Sequence, residues 1–346
     1  MLAPKLTDRY DITSFGNVKN VTPSTFLSKK FGSVWRGNWA KTDLISNKID
    51  LYHGLSHEIP IGIEKTGVRS VVTIHDLIFE RNPTQYNPID VLIYRQKFRH
   101  ACKKADHIIA ISHQTKVDIT SFYKIPENRI SVCYQSCDPS FSVTVSPEEK
   151  NKIRQLYNLP QQFFLYVGSI IERKNLLNIC KALSTLNGKA GMPLVVIGEG
   201  NGYKKRVKEF IQKNRLDRQI IFLSENKNAQ RSDSFRSGID FSAIYQLAHA
   251  LVYPSIFEGF GIPVLEALWS RTPVITSNLS CLPEVGGNAA YYVDPFSPEE
   301  IASAMLAVAS DEKLTDGMKQ KGWMQAQNFT PQKCAAQVME VYLRAK

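Results

Sequence analysis

The chain has 346 residues, of which 43% are hydrophobic and 22% charged, the balance of a globular protein with room for two domains of ordinary size. No uninterrupted apolar stretch approaches the roughly 20 residues that span a bilayer, and Met1-Leu2-Ala3-Pro4-Lys5 lacks the apolar run of a secretory signal. The net charge is +11, and residues 1–160 hold 22 Lys and Arg against 15 Asp and Glu; a cytoplasmic protein with access to the inner face of a membrane is expected, while no nucleic-acid recognition motif accompanies the charge.

Short apolar runs alternate with longer segments of helical period. In the first half, residues 49–52, 70–74, 107–111 and 130–133 read as buried strands. In the second half, residues 163–168, 194–198, 220–223, 250–253 and 274–276 repeat the theme. Strands apolar on both faces and separated by helices predict parallel α/β sheets. Residues 8–15 read as a further strand.

His75 and Asp76 follow the strand at 70–74. A strand's carboxyl end faces the ligand crevice in such sheets, although a histidine there can equally be a satisfied structural residue. Arg95, Lys97, Arg99, Lys103 and Lys104 form one basic segment, with Phe98, Ala101, Cys102 and Ala105 at helical spacing on the other face. A solvated helix face explains it; attraction to anionic lipid is the functional alternative. Ser112 is positioned to cap the next helix.

Pro139, Pro147 and Pro160 surround a charged run, which predicts the domain boundary. Residues 1–150 are expected to form the first domain and 160–330 the second, with a final helix at 331–346. The six cysteines, Cys102, Cys133, Cys137, Cys180, Cys281 and Cys334, are scattered; reduced thiols are expected, and Cys133 with Cys137 alone makes no metal site.

After the strand at 163–168 comes Glu172-Arg173-Lys174-Asn175. Arg173 offers a planar fork and Lys174 a point charge, the two ways of holding a diphosphate. Gly198 and Gly200 close the next strand and permit close backbone approach. The polar stretch 225–238 reads as a long loop. Residues 251–267, LVYPSIFEGFGIPVLEA, then place Gly259, Phe260 and Gly261 before a helix whose first residue is expected to be Pro263. Backbone N–H groups at a glycine-rich helix start, with the positive end of the helix dipole, suit phosphate. Glu258 and Glu266 bracket the turn; either could be a plain turn or helix-end carboxylate. A phosphate cradle flanked by carboxylates fits a ligand bearing phosphates and hydroxyls, as nucleotide sugars do.

The Glu-x7-Glu spacing of Glu258 and Glu266, with PSIFEGFGIPVLEA, TPVITSN, LPEVGGNAA and the RKN element at 173–175, resembles glycosyltransferase family 4. That resemblance implies a retaining enzyme of GT-B type, two Rossmann-like domains facing a central cleft. It implies that Glu266 binds ribose and that Gly259, Phe260, Gly261 and Gly198 lie against the nucleotide, with Arg173 and Lys174 on the phosphates. Glu258 would bind donor-sugar hydroxyls, and His75, from a strand–HD element, would act at the sugar. The implied substrates are a nucleoside-diphosphate hexose, mannose among the candidates, and a saccharide or lipid-linked saccharide acceptor in surface polysaccharide synthesis. No Asp-x-Asp motif is present, so neither a cofactor nor an obligatory metal is expected. A nucleotide-sugar epimerase or a non-catalytic nucleotide-binding remnant are the alternatives. The family's glycine-rich first loop has no counterpart before Asp8, and residues 8–15 read like its second strand, so the resemblance implies that roughly the first 40 residues of a βαβ start are missing. It also implies that the helix at 331–346 packs back on the first domain and that 225–238 is an insertion.

Overall fold

A computed structural model describes residues 16–18, 21–23 and 26–345 of the chain. The strand expected at 8–15 lies outside these residues. The described residues divide into two compact units: those up to 133 with 336–345, and residues 134–335.

The first unit is built on a four-stranded parallel sheet: β1 (Leu51–Gly54), β2 (Arg69–Ile74), β3 (His107–Ala110) and β4 (Ile130–Val132), in that order across the sheet. Register pairs Gly54 with Val72, Ile74 with Ala110 and Ala110 with Val132. Because side chains alternate across a strand, Val72, Ile74 and Ile108 pack on one face with Ala101 and Cys102 of the helix Pro88–Lys104. Val71 and Ile109 point to the other face, where Val341 and Ala345 cover them. Each such aliphatic side chain, fully buried, contributes about 1.5–3 kcal/mol. Val341 and Ala345 thus cover a sheet whose strands lie roughly 210–290 residues earlier.

The second unit holds a six-stranded parallel sheet. Its strands are β5 (Phe164–Val167), β6 (Leu194–Ile197), β7 (Ile220–Phe222), β8 (Ala250–Tyr253), β9 (Val274–Ser277) and β10 (Tyr291–Val293), arranged β10-β9-β8-β5-β6-β7. β10 was not expected; Tyr291-Tyr292-Val293 is a three-residue edge strand with an aromatic and β-branched composition. The helices Leu176–Leu186 and Pro298–Ser310 cover one face, sealing Phe164, Tyr166, Val196, Val252 and Ile275. Strand order reverses between β5 and β8, so loops leaving their carboxyl ends diverge and open a crevice.

Three boundaries differ from expectation. The units divide at Cys133/Tyr134, not near residue 150, because the proline-rich stretch carries its own anchors into the second unit. Phe141 meets Tyr245 edge-on at 5.3 Å, the Tyr157 hydroxyl binds Asp240 and lies 2.9 Å from Ser232 Oγ, and Val145 N donates to Gln246 Oε1 at 3.0 Å. The prolines begin turns and helices there; they do not mark a linker. The final helix, Pro331–Arg344, contributes to both units, and only from Ala336 onward does it belong with the first. Residues 225–238 are not a plain loop: they fold as the short helices Lys227–Arg231 and Asp233–Ser237, capped by Asn226 and Ser232.

Ser112 caps the helix His113–Tyr123 by accepting from Thr115 N at 3.1 Å. All six cysteines are free thiols.

Candidate functional site

The crevice between β5 and β8 gathers most of the residues singled out in the sequence. β8 ends at Tyr253, and the loop that follows carries Glu258, Gly259, Phe260 and Gly261 into the helix Ile262–Trp269. Gly261 adopts φ +102°, a conformation that ordinary side chains rarely take, and a Cβ there would come within 2.8 Å of Leu282. The helix therefore starts at Ile262, one residue before the expected Pro263. Glu266 is consequently its fifth residue and lies beyond the first turn, which weakens the plain reading of a charge placed to complement the helix dipole.

Among the described residues, the amides of Gly259, Phe260 and Gly261 donate to no other group. The Glu258 amide is committed to Ser280 Oγ at 3.2 Å, and Ser280 Oγ in turn donates to the Glu258 carbonyl at 2.7 Å. Ser280 thus fixes the loop's entry and leaves three successive N–H groups for an anion.

From β5, the loop brings Arg173 and Lys174 against Glu258. One carboxylate oxygen, Oε1, lies 2.8 Å from Arg173 Nη1, 3.7 Å from Lys174 Nζ, 2.7 Å from the Tyr253 hydroxyl and 2.8 Å from Ser255 Oγ. Arg173 also donates to the Phe257 carbonyl and is itself buried. Lys174 Nζ donates to the Tyr253 hydroxyl at 2.7 Å. Asn175, at φ +63°, holds both loops by donating to the carbonyls of Pro254 (3.0 Å) and Pro295 (2.6 Å).

Burial would raise the Glu258 carboxyl, but Lys174 and Arg173 and the hydrogen bonds outweigh it and hold the group below its ordinary range. Burial pulls Lys174 down, Glu258 opposes this, and Arg173 adds to it; the net direction is downward. Glu266 is pushed up by burial against the hydrogen bond from Tyr245, whose hydroxyl donates to Oε2 at 2.7 Å. Two carboxylates eight positions apart therefore differ: Glu258 is held ionised in a cationic cluster, whereas Glu266 faces a phenol.

Gly198 joins the cluster indirectly. A Cβ at this position would meet the Gly168 carbonyl at 1.9 Å, and one at Gly200 the Ile170 carbonyl at 2.2 Å. The close approach these glycines permit is between the loops after β5 and β6. Gly168 is in turn overlaid by the Lys174 side chain, 3.0 Å from where its Cβ would stand. The two glycine turns thus form the bed on which Lys174 lies.

His75 stands in the first unit, just past β2. Its Nε2 lies 2.8 Å from the Leu55 carbonyl, its amide donates to His57 Nδ1 at 3.2 Å, and its carbonyl accepts from Thr115 Oγ1 at 3.3 Å. Asp76 Oδ1 accepts from Ile78 N at 3.1 Å, closing the turn into the next helix.

Sequence reasoning missed Tyr253, Tyr245, Ser280 and His57. A tyrosine in an apolar run reads as a strand former, and nothing in its spacing announces that its hydroxyl meets a carboxylate. Among the described residues no group of His, Cys, Asp and Glu could hold a metal ion, and no helix is long and apolar enough to cross a membrane.

Comparison with known proteins gives the family and the fold. The pattern described as "Glycosyl transferases group 1" matches residues 147–323, just over half the chain, and that described as "Glycosyltransferase Family 4" matches residues 4–141. O-antigen chain mannosyltransferase B of Escherichia coli is 28% identical over 311 residues, covering 89% of this chain and 77% of that protein. O-antigen chain mannosyltransferase RfbU of Salmonella typhimurium is 28% identical over 262 residues, covering 76% of this chain and 65% of its own length. The chain spans only about a third, 35%, of serotype-specific mannosyltransferase WbdA of Escherichia coli, at 28% identity. A glycosyltransferase from Rickettsia africae superposes with a TM-score of 0.71 at 18% identity, covering 95% of this chain and 85% of that one. Anabaena HepE, solved in complex with UDP-glucose, gives 0.71 at 16% identity, with 95% and 85% covered. At these identities the solved structures show the GT-B fold alone.

Proposed function

Since the chain belongs to the group 1 glycosyltransferases, we propose that it moves a hexose, mannose first among the candidates, from a nucleoside-diphosphate sugar to a saccharide or lipid-linked saccharide acceptor in surface polysaccharide synthesis. The observation that carries the donor half is the cluster at the β5–β8 crevice: three uncommitted amides beside a Lys174 ammonium whose position is set by Tyr253 and Glu258. The curated relatives named as mannosyltransferases support the sugar, and none of those named is an epimerase.

In this reading the amides of Gly259, Phe260 and Gly261 and the charges of Lys174 and Arg173 hold the diphosphate, with Gly198 shaping the floor. A leaving nucleoside diphosphate gains negative charge as the glycosidic bond breaks, and groups already in place stabilise it without reorganising. Glu266 binds the ribose, Glu258 the donor-sugar hydroxyls, and His75 acts at the sugar undergoing transfer. No further carboxylate is assigned as a nucleophile, so the acceptor attacks from the face the phosphate leaves, with retention, and the phosphate takes the acceptor's proton. Isolation of a covalent glycosyl-enzyme would overturn this mechanism. Transfer is proposed to be independent of metal; activity abolished by EDTA and restored by Mn²⁺ would contradict that.

We also propose peripheral contact with anionic membrane through the helix Pro88–Lys104. Its first half exposes Ile89, Leu92 and Ile93, and its second half exposes Arg99, Lys103 and Lys104, a pairing of apolar and cationic surface suited to a lipid interface. Arg95 is excluded from that role because it is bound to Glu80 through two nitrogens, at 2.9 and 2.8 Å. Co-sedimentation with anionic vesicles that persists in Lys103→Glu/Lys104→Glu would refute the contact.

The donor reading is tested by thermal shift with UDP, GDP, ADP and dTDP. A nucleotide at 100 times its dissociation constant adds about 2.7 kcal/mol to stability. One nucleotide is expected to stabilise the native chain and to leave Lys174→Ala unmoved. No response to any of the four from a folded sample would refute it.

A further inference from the structure

Within the first unit, the loops after β1 and β2 and the helix Pro88–Lys104 line an open cleft of about 320 Å³, at the lower end of the roughly 300–1,000 Å³ typical of small-molecule sites. Tyr86, Tyr94 and Phe98 supply aromatic walls, and His57, Asp76 and Lys97 the polar groups.

His57 is the unusual member. Its backbone is left-handed, φ +62°, a conformation that costs a residue other than glycine about 1–3 kcal/mol and that persists where surrounding structure imposes it. Its ring stacks on Phe98 with centroids 4.3 Å apart and meets the His75 ring edge-on at 5.0 Å. The His75 amide donates to its Nδ1, so the neutral ring must carry its proton on Nε2. Burial, aided by His75, lowers its pKa to about 3, which keeps that tautomer across ordinary pH. Among the described residues the Nε2–H has no hydrogen-bond partner. The fold thus strains the backbone to hold an oriented, unused donor at an aromatic cavity.

The occupant can be narrowed by charge. Lys97 is the cavity's one cation and already lies 3.4 Å from Glu58, while Asp76 adds a carboxylate, so a phosphate would find no surplus positive charge. A neutral polyol suits the set: the C–H face of a pyranose lies on an aromatic ring, and its hydroxyls both accept and donate.

We propose that this cavity is a saccharide subsite, in which a sugar ring of the acceptor lies on Tyr94 and one of its hydroxyl oxygens accepts from His57 Nε2. The inference rests on the reading of the chain as a transferase with a saccharide acceptor. It adds the residues that recognise that acceptor, next to His75.

Saturation-transfer NMR tests it on the full chain, with methyl α-mannoside, methyl α-galactoside, methyl N-acetyl-α-glucosaminide and two mannobioses as probes. The variants are Tyr94→Ala, at an exposed position, and His57→Asn, since asparagine tolerates the left-handed backbone. The nucleotide panel runs in parallel on each. At least one saccharide is expected to bind the native chain, with affinity reduced about tenfold or more in both variants and the nucleotide response unchanged. Nucleotide binding without any saccharide binding, or saccharide affinity within about twofold of native in both variants, overturns the subsite and leaves the donor reading standing. Absence of both nucleotide and saccharide binding from a folded native chain overturns both.

Discussion

The Tyr253 hydroxyl donates to Glu258 Oε1 at 2.7 Å while accepting from Lys174 Nζ at 2.7 Å. Because an ammonium can only donate and an ionised carboxylate can only accept, the direction of the phenol's single proton is fixed. Tyr253 therefore ties the ammonium to the carboxylate at a separation of 3.7 Å. It holds Lys174 through one of the ammonium's three N–H groups.

Tyr253→Phe removes this link without changing the strand's shape. The ammonium loses one partner in a mostly buried setting, worth about 1–3 kcal/mol. Nucleoside-diphosphate affinity is expected to fall by about tenfold or more, with nucleoside binding little affected. Calorimetric titration of both ligands against the variant measures the difference, and an equal loss for the two would assign Tyr253 to general packing.

Glu258→Gln leaves the buried Arg173 without its counter-charge, a change that costs about 3–5 kcal/mol. The pH dependence carries a sign. Glu258 is held below its ordinary value of 4.5, so the ionised native state is favoured relative to the unfolded chain above that value. The stabilisation is present at pH 7 and is lost as pH falls below about 4.5 and through the folded pKa. Melting curves of native chain and variant are expected to converge in acid; a constant gap down to pH 3 would count against the assignment.

Lys174 is shifted downward from 10.5, so its charge is shed earlier in alkali than that of an exposed lysine. Nucleoside-diphosphate affinity is expected to decline above neutrality with a midpoint below 10.5. Lys174→Arg, which keeps its charge at any accessible pH, flattens the decline. A pH-independent affinity in the native chain would place the phosphate elsewhere.

Gly198→Ala puts a Cβ where the Gly168 carbonyl stands, 1.9 Å away. No flexible side chain can yield there, so the loops after β5 and β6 must part. A loss of more than about 2 kcal/mol in stability is expected, accompanied by weaker nucleotide binding as Lys174 loses its bed. Gly188→Ala, in open space, serves as the comparison and tests whether strain at a left-handed glycine alone gives the same result.

Much of this arrangement is legible in the sequence because its physics is local. Nine of the ten strands among the described residues are short, largely apolar runs between segments of helical period, and Gly259, Phe260 and Gly261 announce a set of uncommitted amides before a helix. β10 escapes because three residues at a sheet edge carry too little pattern. The boundary near residue 150 was misplaced because Pro139, Pro147 and Pro160 punctuate turns equally well inside a domain and between domains; only Phe141 and Tyr157, finding Tyr245 and Asp240, decide which.

The amino-acid sequence by itself determined the alternation of strand and helix, the parallel sheets, the glycine-flanked turn before the helix and the identities of its charged neighbours, since each depends on residues within one or two turns of chain. Tertiary structure alone decided what those neighbours touch. It turned Arg173 and Glu258 into a buried ion pair, and it made Tyr253 the link to Lys174. It set Gly198 against Gly168, and Val341 over a sheet whose strands come roughly 210–290 residues earlier. Those contacts join segments tens to hundreds of residues apart, where chain periodicity carries no information and only packing of the finished fold brings the groups together.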